Sequence, residues 1–137
     1  MKTILEVHFR GNEESKKSIL RAIKFKEKFI QPKNHIYFNS VEDFRGFMSV
    51  QKLELLTVIF CMEPSSIYEL AKLVRRDFST VQKDCKGLAG VGFIKLTSKR
   101  NGKRRSMVPT LSFDYSAIAV FLPEASASYK IEFREAA

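Results

Sequence analysis

The chain has 137 residues and a mass of 15.8 kDa, which is enough for one compact domain or a small domain with an appendage. It carries 24 Lys and Arg against 15 Asp and Glu, a net charge of +9, and its 45% apolar and 28% charged content excludes disordered and fibrous classes. The longest strongly apolar run, residues 53–62, is far shorter than the roughly 20 residues of a membrane-spanning helix. No signal-peptide pattern is visible, and two cysteines are too few for a disulfide scaffold or a four-ligand zinc site. We therefore expect a basic cytoplasmic protein with one core and no membrane association.

The first 38 residues predict a strand–helix–strand segment. Residues 3–9 alternate apolar and polar side chains, which is typical of a short strand. Residues 13–30 have apolar side chains at helical spacing, Pro32 ends that helix, and residues 35–38 predict a second strand. We assign the segment to an accessory or dimerisation role. The apolar face of its first strand consists of Leu5, Val7 and Phe9.

The predicted helix over residues 13–30 carries a basic stripe on a second side. Such a stripe is typical of the solvated face of an amphipathic helix, and contact with flanking DNA or an acidic partner is the alternative. The stripe consists of Lys17, Arg21, Lys24 and Lys28.

Four shorter helices are predicted between residues 40 and 92, each preceded by a side chain that accepts a hydrogen bond from the first helical turn. Ser40 precedes a short helix whose apolar residues are Val41, Phe44 and Met48. Ser49 precedes the helix 50–62, Ser65 precedes 66–74 and Asp77 precedes 78–91. The last of these helices ends at Gly92. The predicted buried sides of the last three are Leu53, Leu56, Ile59 and Phe60; Ile67, Leu70, Ala71 and Val74; and Phe78, Val81, Cys85 and Leu88.

A basic β-hairpin is predicted to follow these helices. Residues 93–97 and 106–113 favour two strands, and the Asn-Gly pair in the basic segment 98–105 is a strong hairpin signal. Pro109 indicates an edge strand or a strand end. In the tail, residues 117–137, two further apolar stretches are candidate strands.

The positive charge is concentrated in one part of the chain. Residues 75–105 hold ten Lys and Arg and two Asp, a net charge of +8, whereas the other 106 residues sum to +1. A concentrated positive field is expected of a surface that binds a polyanion, and a solvated surface that keeps the protein soluble is the alternative.

The order of helix, helix, tight turn, helix and basic hairpin predicts a winged helix-turn-helix. Helix 78–91 would enter the major groove of DNA, with its first residues at the base edges. In that groove Gln pairs with adenine and Lys donates to guanine. The alternative interpretation of these residues is an ordinary solvated helix surface with no ligand. The candidate base-reading residues are Ser79, Thr80, Gln82, Lys83 and Lys86.

A second set of residues is predicted to contact the DNA backbone. Five cations within residues 98–105 would repel each other in isolation, but phosphates or a narrow minor groove would neutralise them. Residues in the tight turn and near the start of helix 66–74, where backbone N–H groups attract anions, complete the set. The candidates are Ser65, Ser66, Tyr68, Arg75, Arg76, Lys99, Arg100, Asn101, Lys103, Arg104 and Arg105.

Three motifs, SIYELAKLV, RDFSTVQKDCKGL and GFIKL, resemble the winged-helix transcription regulators related to MarR. The resemblance is strongest to small archaeal and bacterial DNA-binding proteins in which a strand–helix–strand prefix precedes the winged helix. It implies an α+β fold with a winged helix-turn-helix at residues 39–116 and a small N-terminal β-α-β extension at 1–38. It also implies transcription regulation by operator binding, usually as a homodimer.

No catalytic constellation is found, so an enzyme is not expected. His8 and His35 show no acidic or cysteine neighbours at metal-ligand spacing, and no metal or other cofactor is expected. Cys61 and Cys85 are interpreted as buried apolar residues rather than a redox switch. The glycines of GLAGVG end a helix instead of starting one, which excludes a dinucleotide fingerprint.

The sequence leaves two functional hypotheses. The first is a sequence-specific regulator of transcription, a repressor, that binds double-stranded DNA as a homodimer formed by residues 1–38 and 117–137. The alternative is an antitoxin-like module that neutralises a protein partner through an exposed apolar tail at 117–137 and represses its own operon. RNA binding is less favoured, since no aromatic stacking platform is evident.

Overall fold

A computed structural model describes residues 3–9, 34–122 and 128–133 of the chain. The predicted helix over 13–30 and its basic stripe (Lys17, Arg21, Lys24 and Lys28) lie outside this part. The described elements are β1 (Thr3–Phe9), β2 (His35–Phe38), α1 (Val41–Phe47), α2 (Val50–Met62), α3 (Ile67–Val74), α4 (Phe78–Val91), β3 (Ile94–Asn101), β4 (Arg104–Leu111), β5 (Tyr115–Phe121) and β6 (Ser128–Glu132). The α+β class is confirmed.

The six strands in the described part of the chain form two sheets. A four-stranded sheet has the order β2-β1-β5-β6, in which β1 is parallel to both of its neighbours and β6 is antiparallel to β5. The second sheet is the antiparallel hairpin of β3 and β4. Strands from the first and last parts of the chain therefore lie side by side within one protomer.

One hydrophobic core joins the four-stranded sheet to the helices. The apolar face of β1 is buried as predicted, with Leu5, Val7 and Phe9 at most 2% exposed. Leu88 of α4 and Ile118 of β5 are completely buried in the same cluster. Apolar burial on this scale is the main contribution to the stability of a domain of this size.

The predicted helix caps are largely confirmed. The Ser40 and Ser49 hydroxyls accept hydrogen bonds from the backbone N–H three residues ahead, at 3.1 and 3.2 Å, and Gly92 ends α4 with φ of +111°. The third helix begins one residue later than predicted. Its cap is Ser66, which accepts from the Glu69 N–H at 3.0 Å, rather than Ser65.

Two predictions about the core were wrong in detail. In α2 the buried residues are Leu55, Leu56 and Ile59, whereas Leu53 and Phe60 are only partly buried. Neighbouring elements cover this helix on more than one side, so its buried surface is wider than the single stripe that helical spacing selects.

Most of the described apolar residues of the C-terminal tail are buried or partly buried, whereas the antitoxin-like alternative expected an exposed apolar segment. Ile118 and Val120 are completely buried, because β5 lies between β1 and β6 in the middle of the sheet. Phe133, just after β6, is 7% exposed and packs in the same core. The described part of the tail is therefore a structural component of the protomer.

No helix in the described part of the chain is long and apolar enough to cross a membrane.

Candidate nucleic-acid interface

Helices α3 and α4 are joined by a turn of three residues. Arg75 ends α3 in the left-handed conformation, with φ of 57°, and the N–H groups of Arg75 and Arg76 donate to carbonyls of the last turn of α3. Asp77 then starts α4. The two helices contact each other, and α4 also contacts β3 of the hairpin. The hairpin therefore packs against α4 through its first strand.

The buried side of α4 consists of Val81, Cys85 and Leu88, all completely inaccessible to solvent. The five candidate base-reading residues lie off this side. Ser79, Thr80, Lys83 and Lys86 are exposed and Gln82 is partly exposed. A helix with this division has one face fixed in the core and the other available to a ligand.

The first turn of α4 is held by the Asp77 carboxylate. It accepts hydrogen bonds from the Ser79 hydroxyl, from the Thr80 N–H at 3.4 Å and from the Thr80 hydroxyl at 3.5 Å. The Ser79 hydroxyl and the Thr80 N–H are the main reasons why the pKa of the Asp77 carboxyl lies below its ordinary value. The two hydroxyls are thus positioned at the tip of the helix before any ligand binds.

Phe78 is the clearest error among the predicted core residues. It is 41% exposed, and its ring lies 6.2 Å from that of Tyr68, which is 60% exposed. The Lys72 ammonium lies 4.5 Å from the Tyr68 ring centre. Phe78 shares the helical side of Val81 and Cys85, but it is the first residue of α4 and the core does not extend that far. An exposed aromatic pair thus lies at the tip of the helix, where an apolar side chain can contact a thymine methyl group.

Three candidate backbone-contacting residues make hydrogen bonds within the protein. Arg76 donates to Asp84 at 2.7 Å and is only 21% exposed, so an internal partner already balances its charge. The Ser66 hydroxyl caps α3, and the Ser65 hydroxyl donates to the Glu69 carboxylate. Arg75, by contrast, is exposed.

The hairpin concentrates cations without any acid. The sequence between residues 94 and 111 has six Lys and Arg and no Asp or Glu, and the five cations at its tip are exposed. Arg100 lies directly opposite Arg105 across the two strands, an arrangement that is destabilising without a counter-charge. The turn residues are Gly102, with φ of +68°, and Lys103, one position later than the Asn-Gly pair suggested. The exposed cations are Lys99, Arg100, Lys103, Arg104 and Arg105. The predicted contact of the Asn101 side chain lies outside the described part of the structure.

The prediction that the histidines lack an acidic neighbour was wrong. Glu6 lies within hydrogen-bond distance of both His8 and His35. Glu6 and His8 are two residues apart on one strand, and therefore on one face. His35 joins them only through the pairing of β1 with β2, which the sequence did not reveal.

The two cysteines differ in environment. Cys85 is completely buried, which raises the pKa of its thiol to about 11, and Cys61 is partly buried. The interpretation as apolar packing residues fits Cys85 better than Cys61.

A protein-family model named HVO_A0114 matches residues 47–119, slightly more than half of the chain. The chain belongs to the HVO_A0114 family. The match contains α2, α3, α4 and the hairpin, and therefore the whole basic region described above. No curated protein and no solved structure matches the chain.

Proposed function

We propose that this protein is a sequence-specific double-stranded DNA-binding regulator of transcription, acting as a repressor through a winged helix-turn-helix. The observation that carries the proposal is that α4 exposes Thr80 and Lys83 and is in contact with the first strand of an acid-free hairpin. Both surfaces belong to the segment that holds nearly all of the net positive charge.

Helix α4 has dimensions that suit the major groove. Its 14 residues span about 21 Å, and the groove, about 12 Å wide, admits one helix. The residues near its tip, Ser79, Thr80, Gln82 and Lys83, offer hydrogen bonds to base edges, and Lys86 lies one turn further along. Phe78 adds an apolar contact that the sequence did not suggest.

The hairpin supplies affinity rather than sequence discrimination in this proposal. Its exposed cations have no acidic partner within the two strands, so phosphates would relieve the repulsion between Arg100 and Arg105. Arg75 and Tyr68 are exposed as well, and we include them among the proposed backbone contacts. Arg76, Ser65 and Ser66 serve the protein's own structure, and we leave them out of the proposed contacts.

We further propose that the protein binds DNA as a homodimer, since one winged helix reads few base pairs and a twofold dimer matches a palindromic operator. Residues 1–38 and 117–137 contribute strands to one sheet, and this sheet is the proposed dimerisation unit. The antitoxin-like alternative is less favoured, because Ile118, Val120 and Phe133 of the tail are buried, although Phe121 is 37% exposed.

The test is duplex DNA binding by the full chain, measured by fluorescence anisotropy at several salt concentrations. The logarithm of the binding constant should fall steeply with the logarithm of salt, with a slope of about −0.9 for each neutralised phosphate. Arg45→Ala, which removes an exposed cation on α1 outside the basic region and outside the proposed dimerisation sheet, is the matched control and should leave the slope unchanged. A binding constant that barely changes with salt would contradict the proposal.

A further inference from the structure

The four-stranded sheet has a polar face, which we define by Glu6 and His8 of β1 and His35 and Tyr37 of β2. These residues alternate with the buried residues of their strands, so they lie on the side opposite the core. In the parallel pairing of β1 with β2, Glu6 lies beside His35 and His8 lies beside Tyr37. Four polar or aromatic side chains therefore form a compact block.

Both imidazoles direct the same ring nitrogen toward one carboxylate. His8 Nε2 lies 3.2 Å from Glu6 Oε1, and His35 Nε2 lies 3.1 Å from Glu6 Oε2. One ligand atom from each of the three residues can be chosen so that all lie within 4.8 Å of one another. In a tetrahedral zinc site with ligands about 2.0 Å from the metal, neighbouring ligand atoms are about 3.3 Å apart. The spacing between carboxylate oxygen and imidazole nitrogen is already close to that value.

The surrounding side chains hold the three ligands in place. His35 Nδ1 lies 3.2 Å from the Tyr37 hydroxyl, so the nitrogen that does not face Glu6 has a hydrogen-bond partner. Asn34 Nδ2 donates to Glu6 Oε2 at 3.2 Å. The His8 ring stacks on Phe121 at 4.9 Å between ring centres and on His35 at 4.5 Å. Metal-binding histidines characteristically have a second-shell partner of the kind that Tyr37 provides for His35.

We propose that Glu6, His8 and His35 bind a first-row divalent transition metal of the Zn²⁺ type. Two imidazole nitrogens and one carboxylate suit Zn²⁺, Fe²⁺ and Ni²⁺, whereas Mg²⁺ and Ca²⁺ prefer ligand sets of oxygen alone. The three ligands are between 19% and 27% exposed, partly shielded from solvent yet not sealed from it. Three protein ligands leave one coordination position open for water or a further ligand, which distinguishes such a site from a structural zinc site with four protein ligands.

This site is independent of the proposed DNA interface. Its ligands are at residues 6, 8 and 35, before the segment that the family model matches. The metal would cross-link β1 to β2, two strands that are parallel and distant in sequence. Binding of metal and binding of DNA are measured separately, so failure of one proposal leaves the other untouched.

The test is calorimetric titration of Zn²⁺ into the untagged full chain after treatment with a chelator. We expect saturable binding of one Zn²⁺ per protomer and no comparable binding of Mg²⁺. Glu6→Gln and His35→Asn should each weaken Zn²⁺ binding by at least tenfold, and Tyr37→Phe by about tenfold, the lower end of the range for second-shell changes. Glu54→Gln, which removes an exposed carboxylate on α2, is the matched control and should have no effect.

A second measurement does not depend on any variant folding. His8 and His35 are the two histidines of the sequence, so the imidazole ¹⁵N resonances of the wild-type protein report on the site alone. Zn²⁺ should shift the Nε2 resonances of both rings together. Absence of saturable binding, unchanged imidazole resonances, or binding that Cys61→Ser abolishes while Glu6→Gln leaves it intact would each overturn the proposal.

Discussion

The basic hairpin and the polar face of the four-stranded sheet both present polar side chains from paired strands, but their charges are arranged in opposite ways. In the hairpin, Arg100 lies opposite Arg105 and no acid is present in either strand. On the polar face, Glu6 lies opposite His35, and hydrogen bonds join the side chains to each other. Cations that repel each other favour a negatively charged ligand, whereas converging nitrogen and oxygen atoms suit a small cation between them.

The pairing of charges between neighbouring strands is therefore more informative about the kind of ligand than the net charge of the chain. The net charge of +9 is almost entirely that of residues 75–105, and even there Arg76 is neutralised by Asp84. The cations at the hairpin tip have no acid in either strand, and their arrangement favours a polyanion as ligand.

The largest expected effect is a loss of stability, and it distinguishes the buried side of α4 from its exposed side. Leu88 is completely buried, so Leu88→Ala should lower the free energy of unfolding by about 2–5 kcal/mol. Phe78 is 41% exposed, so Phe78→Ala should lower it by about 1 kcal/mol or less while weakening DNA binding. Urea unfolding of the two variants measures both values. A cost for Phe78→Ala as large as that for Leu88→Ala would place Phe78 in the core after all.

The second-largest expected effect is a loss of DNA affinity when cations of the hairpin are removed. Combined replacement of Lys103, Arg104 and Arg105 by Ala removes three proposed phosphate contacts, which corresponds to about a hundredfold loss of affinity at physiological salt. The loss should be the same for every duplex sequence, and the salt slope should become shallower by about 2.7. Anisotropy titrations with several unrelated duplexes measure both. A loss confined to one sequence would assign base reading to the hairpin instead.

A smaller effect is expected from α4 itself. Lys83→Ala should cost about 1–3 kcal/mol of binding free energy on a preferred sequence and relax the preference at one base pair. Competition between the preferred duplex and single-base variants of it measures this change. Equal weakening on all duplexes would mean that Lys83 contacts phosphate rather than a base.

The smallest effect concerns the cap of α4. Hydrogen bonds from Ser79 and Thr80 lower the pKa of Asp77 in the folded protein, so its charged form stabilises the fold above its unfolded pKa. Asp77→Ala should therefore lower the urea midpoint slightly at neutral pH, by less than Leu88→Ala does. The difference should shrink as pH falls through the folded-state pKa, where the wild-type carboxylate is protonated. A difference that persists undiminished at low pH would show that the Asp77 charge is not its cause.

Local sequence signals predicted most of the elements because each has a local physical cause. Side-chain caps at Ser40, Ser49 and Asp77 and the glycine at position 92 fix helix ends within a few residues. The errors arose where contacts with distant parts of the chain determine whether a residue is buried. Periodicity placed Phe78 on the correct side of α4 but could not show where the core ends.

Pairing between distant strands explains what the sequence could not show about the sites. The exposed residues of α4 follow from helical spacing within 14 residues, and so they could be named beforehand. His35 lies 29 residues from Glu6 and meets it only because β1 and β2 are parallel neighbours. The burial of Ile118 likewise depends on the insertion of β5 beside β1.

Selection of binding sites from random duplex DNA tests the central claim most directly, if the wild type and a Thr80→Ala, Lys83→Ala double variant are run side by side. The wild type should enrich a palindromic consensus, and the double variant should bind DNA but lose that preference. Failure of the wild type to enrich any sequence, or an identical consensus from both proteins, would contradict the assignment of base reading to the exposed side of α4.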